Sequence, residues 1–178
     1  MGVHAFADES VRDRLYLVSA ALVAPTEVHQ LRVAMRRLRM PGQREIHLKT
    51  EKAPRRRQLL DVVVGSGVQV SIYSAEHAKI GQEHARAACV HQLVVDLADK
   101  GAGRLVLDSR PGRDHLDART IWAALGTRPG AVLRFDHADS ASEPLIWVAD
   151  VIGWAHGAGG EWRRRVAPAV TCVNDCTP

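Results

Sequence analysis

The chain opens on His4-Ala-Phe-Ala-Asp8, in which apolar and polar positions trade places over a few residues and the run closes on a carboxylate. Such a pattern predicts a short strand over 4–8. A turn-like stretch from Glu9 to Asp13 leads into the apolar run 15–23, a buried second strand, and the two form a natural hairpin. Thr26 then stands where it can cap a helix that carries Val28, Leu31, Met35 and Leu38 on one face and stops at Pro41-Gly42. Residues 43–52 have neither period and read as irregular or short extended structure. Pro54 opens a second helix through Leu59, Leu60, Val62 and Val63, ended by Gly65 and Gly67. Alternation over 68–73 predicts a strand, and helical spacing of Ala88, Cys89, Gln92, Leu93 and Leu97 predicts a helix over 83–100. A compact strand over 104–108 again ends on a carboxylate, Asp108. A helix over 114–125, a strand over 131–135 and a helix capped by Ser142 complete the pattern. Strands separated by helices after an initial hairpin make a mixed α/β layout around one central sheet.

Against this pattern four carboxylates look misplaced. Asp8 and Asp108 close apolar strands, where α/β sheets place their chemistry. Asp150 lies in a helix where Leu145, Ile146, Val148, Ala149, Val151, Ile152 and Trp154 surround it, so its face is at least partly buried. A buried carboxylate is costly unless paired, hydrogen-bonded or bound to a metal. The plain alternative is that Asp150 accepts from an arginine or from backbone amides. Glu45, in Glu45-Ile-His47-Leu-Lys49, has an equally plain alternative, an ion pair with Arg44 or Lys49. Taken together, an all-oxygen donor set without a histidine or cysteine framework suits magnesium or manganese, and two such ions can clamp the attacking and leaving oxygens of a phosphodiester.

Charge adds a second strand to that reading. Across 178 residues the net charge is +4, and the basic residues cluster: Arg36, Arg37, Arg39, Arg44, Lys49, Lys52 and Arg55 to Arg57 are opposed only by Glu45 and Glu51. Such a cluster is either a solvated surface or a patch that tracks nucleic-acid phosphates. Apolar residues at 46% and charged residues at 25% exclude a disordered or low-complexity chain. The length fits one domain, 1–178, with a short tail from about residue 167. No apolar run reaches the roughly 20 residues of a membrane span. Asp8 and Glu9 fall where a signal peptide needs its apolar stretch, so a cytoplasmic protein with no membrane partner is expected. Cys89, Cys172 and Cys176 form neither a zinc framework nor an even disulfide set and read as free thiols. A Gly-rich phosphate loop, a GxSxG elbow and an HExxH motif are all absent from the sequence.

The order of these pieces resembles the domain-of-unknown-function family 3800, which belongs with the ribonuclease H-like, or retroviral integrase-like, folds. Phe6-Ala-Asp8-Glu9-Ser10 looks like its opening Asp-Glu-Ser motif, Glu45-Ile-His47 its second, Leu105-Val-Leu-Asp108 its third, and Trp147-Val-Ala-Asp150-Val-Ile its final helix motif. Val11 stands where the family commonly has glycine, so the turn after Ser10 must differ. The resemblance implies a ribonuclease H-like α/β fold, a central mixed sheet of about five strands flanked by helices, and metal-dependent phosphodiester cleavage. The expected site is then two Mg²⁺ or Mn²⁺ ions held by Asp8, Glu45, Asp108 and Asp150, with Asp8 central. His47 would orient water or touch the scissile phosphate, or it is ordinary surface. Glu9 is either an acceptor behind the ligands or a turn residue. Lys49 and Arg55, Arg56 and Arg57 would grip a nucleic-acid strand, whether RNA, DNA or hybrid. The rival expectation is a non-catalytic module of the same fold that binds nucleic acid or protein.

Overall fold

The structure, a computed structural model, describes residues 2–178. Its centre is a six-stranded mixed sheet: β1 (His4–Arg12), β2 (Leu15–Val23), β3 (Gln69–Glu76), β4 (Arg104–Asp108), β5 (Arg134–Ala138) and β6 (Val170–Asp175). Their spatial order is β5-β4-β1-β2-β3-β6. The first three strands form an antiparallel meander, while β4 runs parallel to β1, β5 parallel to β4, and β6 parallel to β3. Parallel neighbours need long crossovers, and the helices supply them. These are α1 (Val28–Arg37), α2 (Ala53–Gly65), the short α3 (His77–Ile80), α4 (Gln82–Asp99), α5 (Asp114–Gly126), α6 (Pro144–Ala158) and α7 (Gly160–Val166), with a 3₁₀ turn at Leu48–Thr50.

Period-two alternation divides the strands between two cores. Phe6, Leu17, Ala21, Val70, Ile72 and Val106 face a core completed by α1, α2 and α6. Ala5, Ala7, Tyr16, Val18, Tyr73, Leu105 and Leu107 face the other, completed by α4 and α5. Every residue of α6 from Pro144 to Ala155 is buried, so this helix is a core element rather than an amphipathic one. Among the described residues, no helix is long and apolar enough to cross a membrane.

Several expectations need correction. The hairpin has almost no loop: pairing continues to Arg12 opposite Leu15, so Glu9 to Arg12 belong to β1 and only Asp13 and Arg14 turn. Asp13 takes φ +36°, a left-handed conformation that aspartate tolerates in tight hairpins. Val11 is therefore a strand residue, and no glycine is required there. Helix α1 starts after Glu27 rather than Thr26. Helix α6 starts after Glu143 rather than Ser142: Pro144 sets the first helical residue, and the Glu143 carboxylate accepts the Leu145 N–H. The fifth strand lies three residues later than the pattern predicts. The sheet has six strands, not about five, because residues expected in a C-terminal tail form β6 beside β3.

Candidate functional site

Parity along two neighbouring strands brings the first two carboxylates together. Asp8 shares its face with Phe6, and Asp108 shares its face with Val106. Phe6 pairs with Val106 and Ala7 with Leu107 in the parallel register, so Asp8 and Asp108 follow as the next step on the α6 side of the sheet. Helix α6 presents Asp150 to the same place. The loop before α2 supplies the rest: Ile46 and Leu48 are buried, which leaves the alternating Glu45 and His47 at the surface. Asp8, Glu45, Asp108, Asp150, His47 and Ser140 thus line one cavity of about 250 Å³.

Hydrogen bonds fix most of these groups. Leu48 N–H donates to Asp150 Oδ2 at 2.8 Å, and His47 Nδ1 lies 3.0 Å from Asp150 Oδ1. The amide reading of Asp150 therefore holds for one of its oxygens. Ser140 N–H donates to Asp108 Oδ1 at 3.1 Å and the Ser140 hydroxyl donates to Glu45. Trp147 Nε1 donates to the Ser140 carbonyl at 2.7 Å, which anchors that loop to α6. Glu9 N–H donates to Asp8 Oδ1 at 2.7 Å.

The electrostatics are those of an uncompensated acidic cluster. Burial, then the charges of Asp150, Glu9 and Asp108, push the Asp8 carboxyl well above its ordinary range, against the Glu9 amide. Burial and Glu9 raise Asp108 to about 6, with the Ser140 amide opposing them. The hydrogen bond to Asp150 holds His47 above its usual value, opposed by burial and helped by the charges of Asp150 and Glu45. Oxygen-only donors and mutual repulsion fit a hard divalent cation. Among the described residues, however, no three histidine, cysteine or acidic side chains already close around one point. The carboxylates line a cavity rather than a finished shell.

Sequence reasoning missed the support behind Glu9. Its carboxylate turns to the opposite face of the sheet, where Arg86 Nη1 donates to it at 2.6 Å. Arg86 is only 3% exposed and also grips Asp117 with two bonds of 2.8 and 2.7 Å. Arg110 and His137 reach Asp117 as well, at 3.2 and 3.3 Å. The signal was available: Arg86 stands among Ala85, Cys89 and Val90 on the core face of α4, as conspicuous there as Asp150 in α6. Arg55, Arg56 and Arg57 lie on α2, outside the cavity lining. Arg55 donates to the Leu38 carbonyl and to Gln58, Arg56 to the carbonyls of Leu48 and Lys49, and Arg57 pairs with Glu161. Lys49 sits exposed on the 3₁₀ turn next to the cavity.

No family model matches the chain, and no curated protein matches it. Among solved structures it is similar to a ribonuclease HII chain from the PCNA:RNase HII complex of Archaeoglobus fulgidus, with a TM-score of 0.56 over 85% of this chain and 69% of that one, at 15% sequence identity. With its mixed sheet and flanking helices, the chain has a ribonuclease H-like fold.

Proposed function

We propose that this chain is a divalent-metal-dependent nuclease, related to the domain-of-unknown-function family 3800, that hydrolyses nucleic-acid phosphodiesters. One observation carries the reading: Asp8, Glu45, Asp108 and Asp150, from four separate segments, meet at one cavity with His47 as the one basic side chain in its lining. Asp8 is the central member, beside Asp108 on the sheet and beneath Asp150 on α6. Two bound Mg²⁺ or Mn²⁺ ions would supply Lewis acidity and a water of lowered pKa. The chain's own groups do the positioning. Leu48 N–H and His47 orient Asp150, Ser140 orients Asp108 and Glu45, and the Arg86 grip on Glu9 steadies the strand that bears Asp8. His47 remains half exposed at the rim, with Lys49 two residues on, so both are available to a substrate phosphate. Three free cysteines suit the reducing cytoplasm.

One observation favours the rival, a binding module of the same fold: both Asp150 oxygens already have partners, and the four carboxylates do not converge on a point. The two readings separate in a cleavage panel of labelled RNA, DNA and hybrid substrates with Mg²⁺, Mn²⁺ or EDTA. The nuclease cleaves with either metal and not with EDTA. Asp8→Asn lowers its rate by a factor on the order of 10³ or more while binding is kept, because the central carboxylate acts on the transition state. Binding without metal-dependent cleavage in the wild type would establish the rival.

A further inference from the structure

One turn beyond Asp150 on α6, Trp154 is buried to 8% exposure, and its indole Nε1 has no acceptor among the described residues. A buried indole N–H normally finds one. Two guanidinium groups pack on this one ring, that of Arg12 at 4.8 Å from its centre and that of Arg56 at 4.3 Å. Arg12 donates through Nη2 to the Trp154 carbonyl at 3.2 Å, while its buried Nε is also without an acceptor. Arg56 donates to the carbonyls of Leu48 and Lys49 at 3.0 and 2.8 Å. Neither arginine has a carboxylate partner among the described residues. Arg57, by contrast, pairs with Glu161 and Arg165 with Asp61, while Arg55 donates to Gln58 and to the Leu38 carbonyl. Two guanidinium groups thus share one ring beside the acidic cavity, and no carboxylate neutralises either among the described residues.

The place of this cluster says which anion. Leu48 links it directly to the acidic cavity, because its N–H binds Asp150 and its carbonyl binds Arg56. Trp154 lies about 6 Å along the α6 axis from Asp150. That matches one to two nucleotides of a strand rising about 3.4 Å each. We infer that the half-buried guanidinium groups of Arg12 and Arg56, both packed on Trp154, form a phosphate-binding station for the nucleic-acid strand that enters or leaves the carboxylate cavity. The station rests on the proposed nucleic-acid reading but needs neither metal nor turnover. Arg12 is remote in sequence from the arginine run, and Arg55 and Arg57 are committed elsewhere. The strand contact thus narrows to Arg56 of the run, which the fold joins to Arg12.

The test is fluorescence anisotropy of a labelled single-stranded oligonucleotide with the intact chain in EDTA, over a salt series. The paired change Arg12→Gln with Arg56→Gln should weaken binding about tenfold or more, and it should flatten the log–log salt slope by about 1.5 to 2 units. Arg128→Gln, on the far side and paired with Asp99, should leave the slope alone. Arg12→Lys with Arg56→Lys keeps the charges and should retain most of the slope, which guards against a loss caused by misfolding. Trp154→Phe should weaken binding and keep the slope. An unchanged slope in the double Gln variant overturns the station, as does a wild type that binds no oligonucleotide. Full displacement by millimolar inorganic phosphate at matched ionic strength would assign the site to a free anion and overturn the strand. Cleavage with an unchanged slope sinks the station and spares the nuclease; a slope that falls as expected in a protein that never cleaves does the reverse.

Discussion

At the end of β4, Asp108 gives up hydration to stand beside Asp8, and burial together with Glu9 holds its carboxyl at about 6. The folded state therefore binds the Asp108 proton more tightly than the unfolded chain, whose ordinary value is 3.8. Its favourable contribution is complete below that lower value and is lost as pH rises through the folded one. Asp8, raised by burial and by Asp150, acts in the same sense. Asp108→Asn should accordingly raise the melting temperature at pH 8 and change it little at pH 4. Millimolar Mg²⁺ or Mn²⁺ should raise the wild-type melting temperature at pH 8, and that increment should vanish by about pH 5, where protons compete for the same oxygens. Asp150→Asn should remove most of it. Melting curves that superimpose with and without metal at pH 8 would count against these carboxylates as ligands.

Among the elements, α6 decides how close the two halves of the site come. Asp150, Gly153, Trp154 and Gly157 lie along one side of it, and the sheet tolerates the helix there because two of these positions have no side chain. A Cβ on Gly153 would overlap the Ser19 hydroxyl and come within 3.1 Å of Ser19 Cβ. Ser19 is the residue opposite Asp8 in the β1–β2 register. A Cβ on Gly157 would meet Leu17 Cδ1 at 2.8 Å and Arg12 Cγ at 3.1 Å. Glycine at 153 thus sets the approach of Asp150 to Asp8. Gly153→Ala should cost about 1–3 kcal/mol in urea unfolding through overpacking. Ser19→Ala in the same chain removes the clashing hydroxyl and should restore part of the loss, a non-additivity that a double-mutant cycle reads directly. Strictly additive losses would mean that the two residues do not meet.

On the scale of the whole molecule, the sheet separates the acidic cavity from a buried charge network, and Glu9 belongs to both. Arg86 on α4 joins Glu9 on β1 to Asp117 on α5, while Arg110 links Asp117 to Glu83 at the start of α4. Burial alone would raise the Asp117 carboxyl; hydrogen bonds from Arg86 and His137 reverse that and hold it well below the usual carboxylate range. Removing one partner leaves a buried charge uncompensated, which typically costs 3–5 kcal/mol. Arg86→Leu should therefore lower unfolding stability by about that much at pH 7. Because the Asp117 carboxyl is depressed, its contribution is present above the ordinary carboxylate value and disappears as pH falls through the folded one, so the deficit should shrink toward pH 3. A loss below about 1 kcal/mol at pH 7 would mean that the network is solvated.

Two periodicities suffice to read much of this molecule from its residues. Alternation in β1 and β4 places Asp8 and Asp108 at the ends of core strands, and the unbroken apolar run of α6 marks Asp150 as a buried charge. The β4 bounds and the body of α4 follow from local pattern alone, because neighbours along one element determine them. What tertiary structure decided are the meetings of segments distant in the chain. Only the parallel β1–β4 register makes the two strand-end aspartates adjacent, and only the Ser140 loop gives Glu45 its hydrogen-bond partner. The polar-apolar alternation of 170–175 was too short and too exposed to mark a strand until β3 offered its free edge. The arginine run 55–57 advertises its charge in sequence, yet Gln58 and the Leu38 carbonyl take up Arg55, the Leu48 and Lys49 carbonyls hold Arg56, and Glu161 takes up Arg57. Arg12, inconspicuous in a hairpin, is carried by the fold onto Trp154 beside Arg56. Charge type and burial tendency are properties of single residues and short runs; which charge meets which is settled by packing across the sheet.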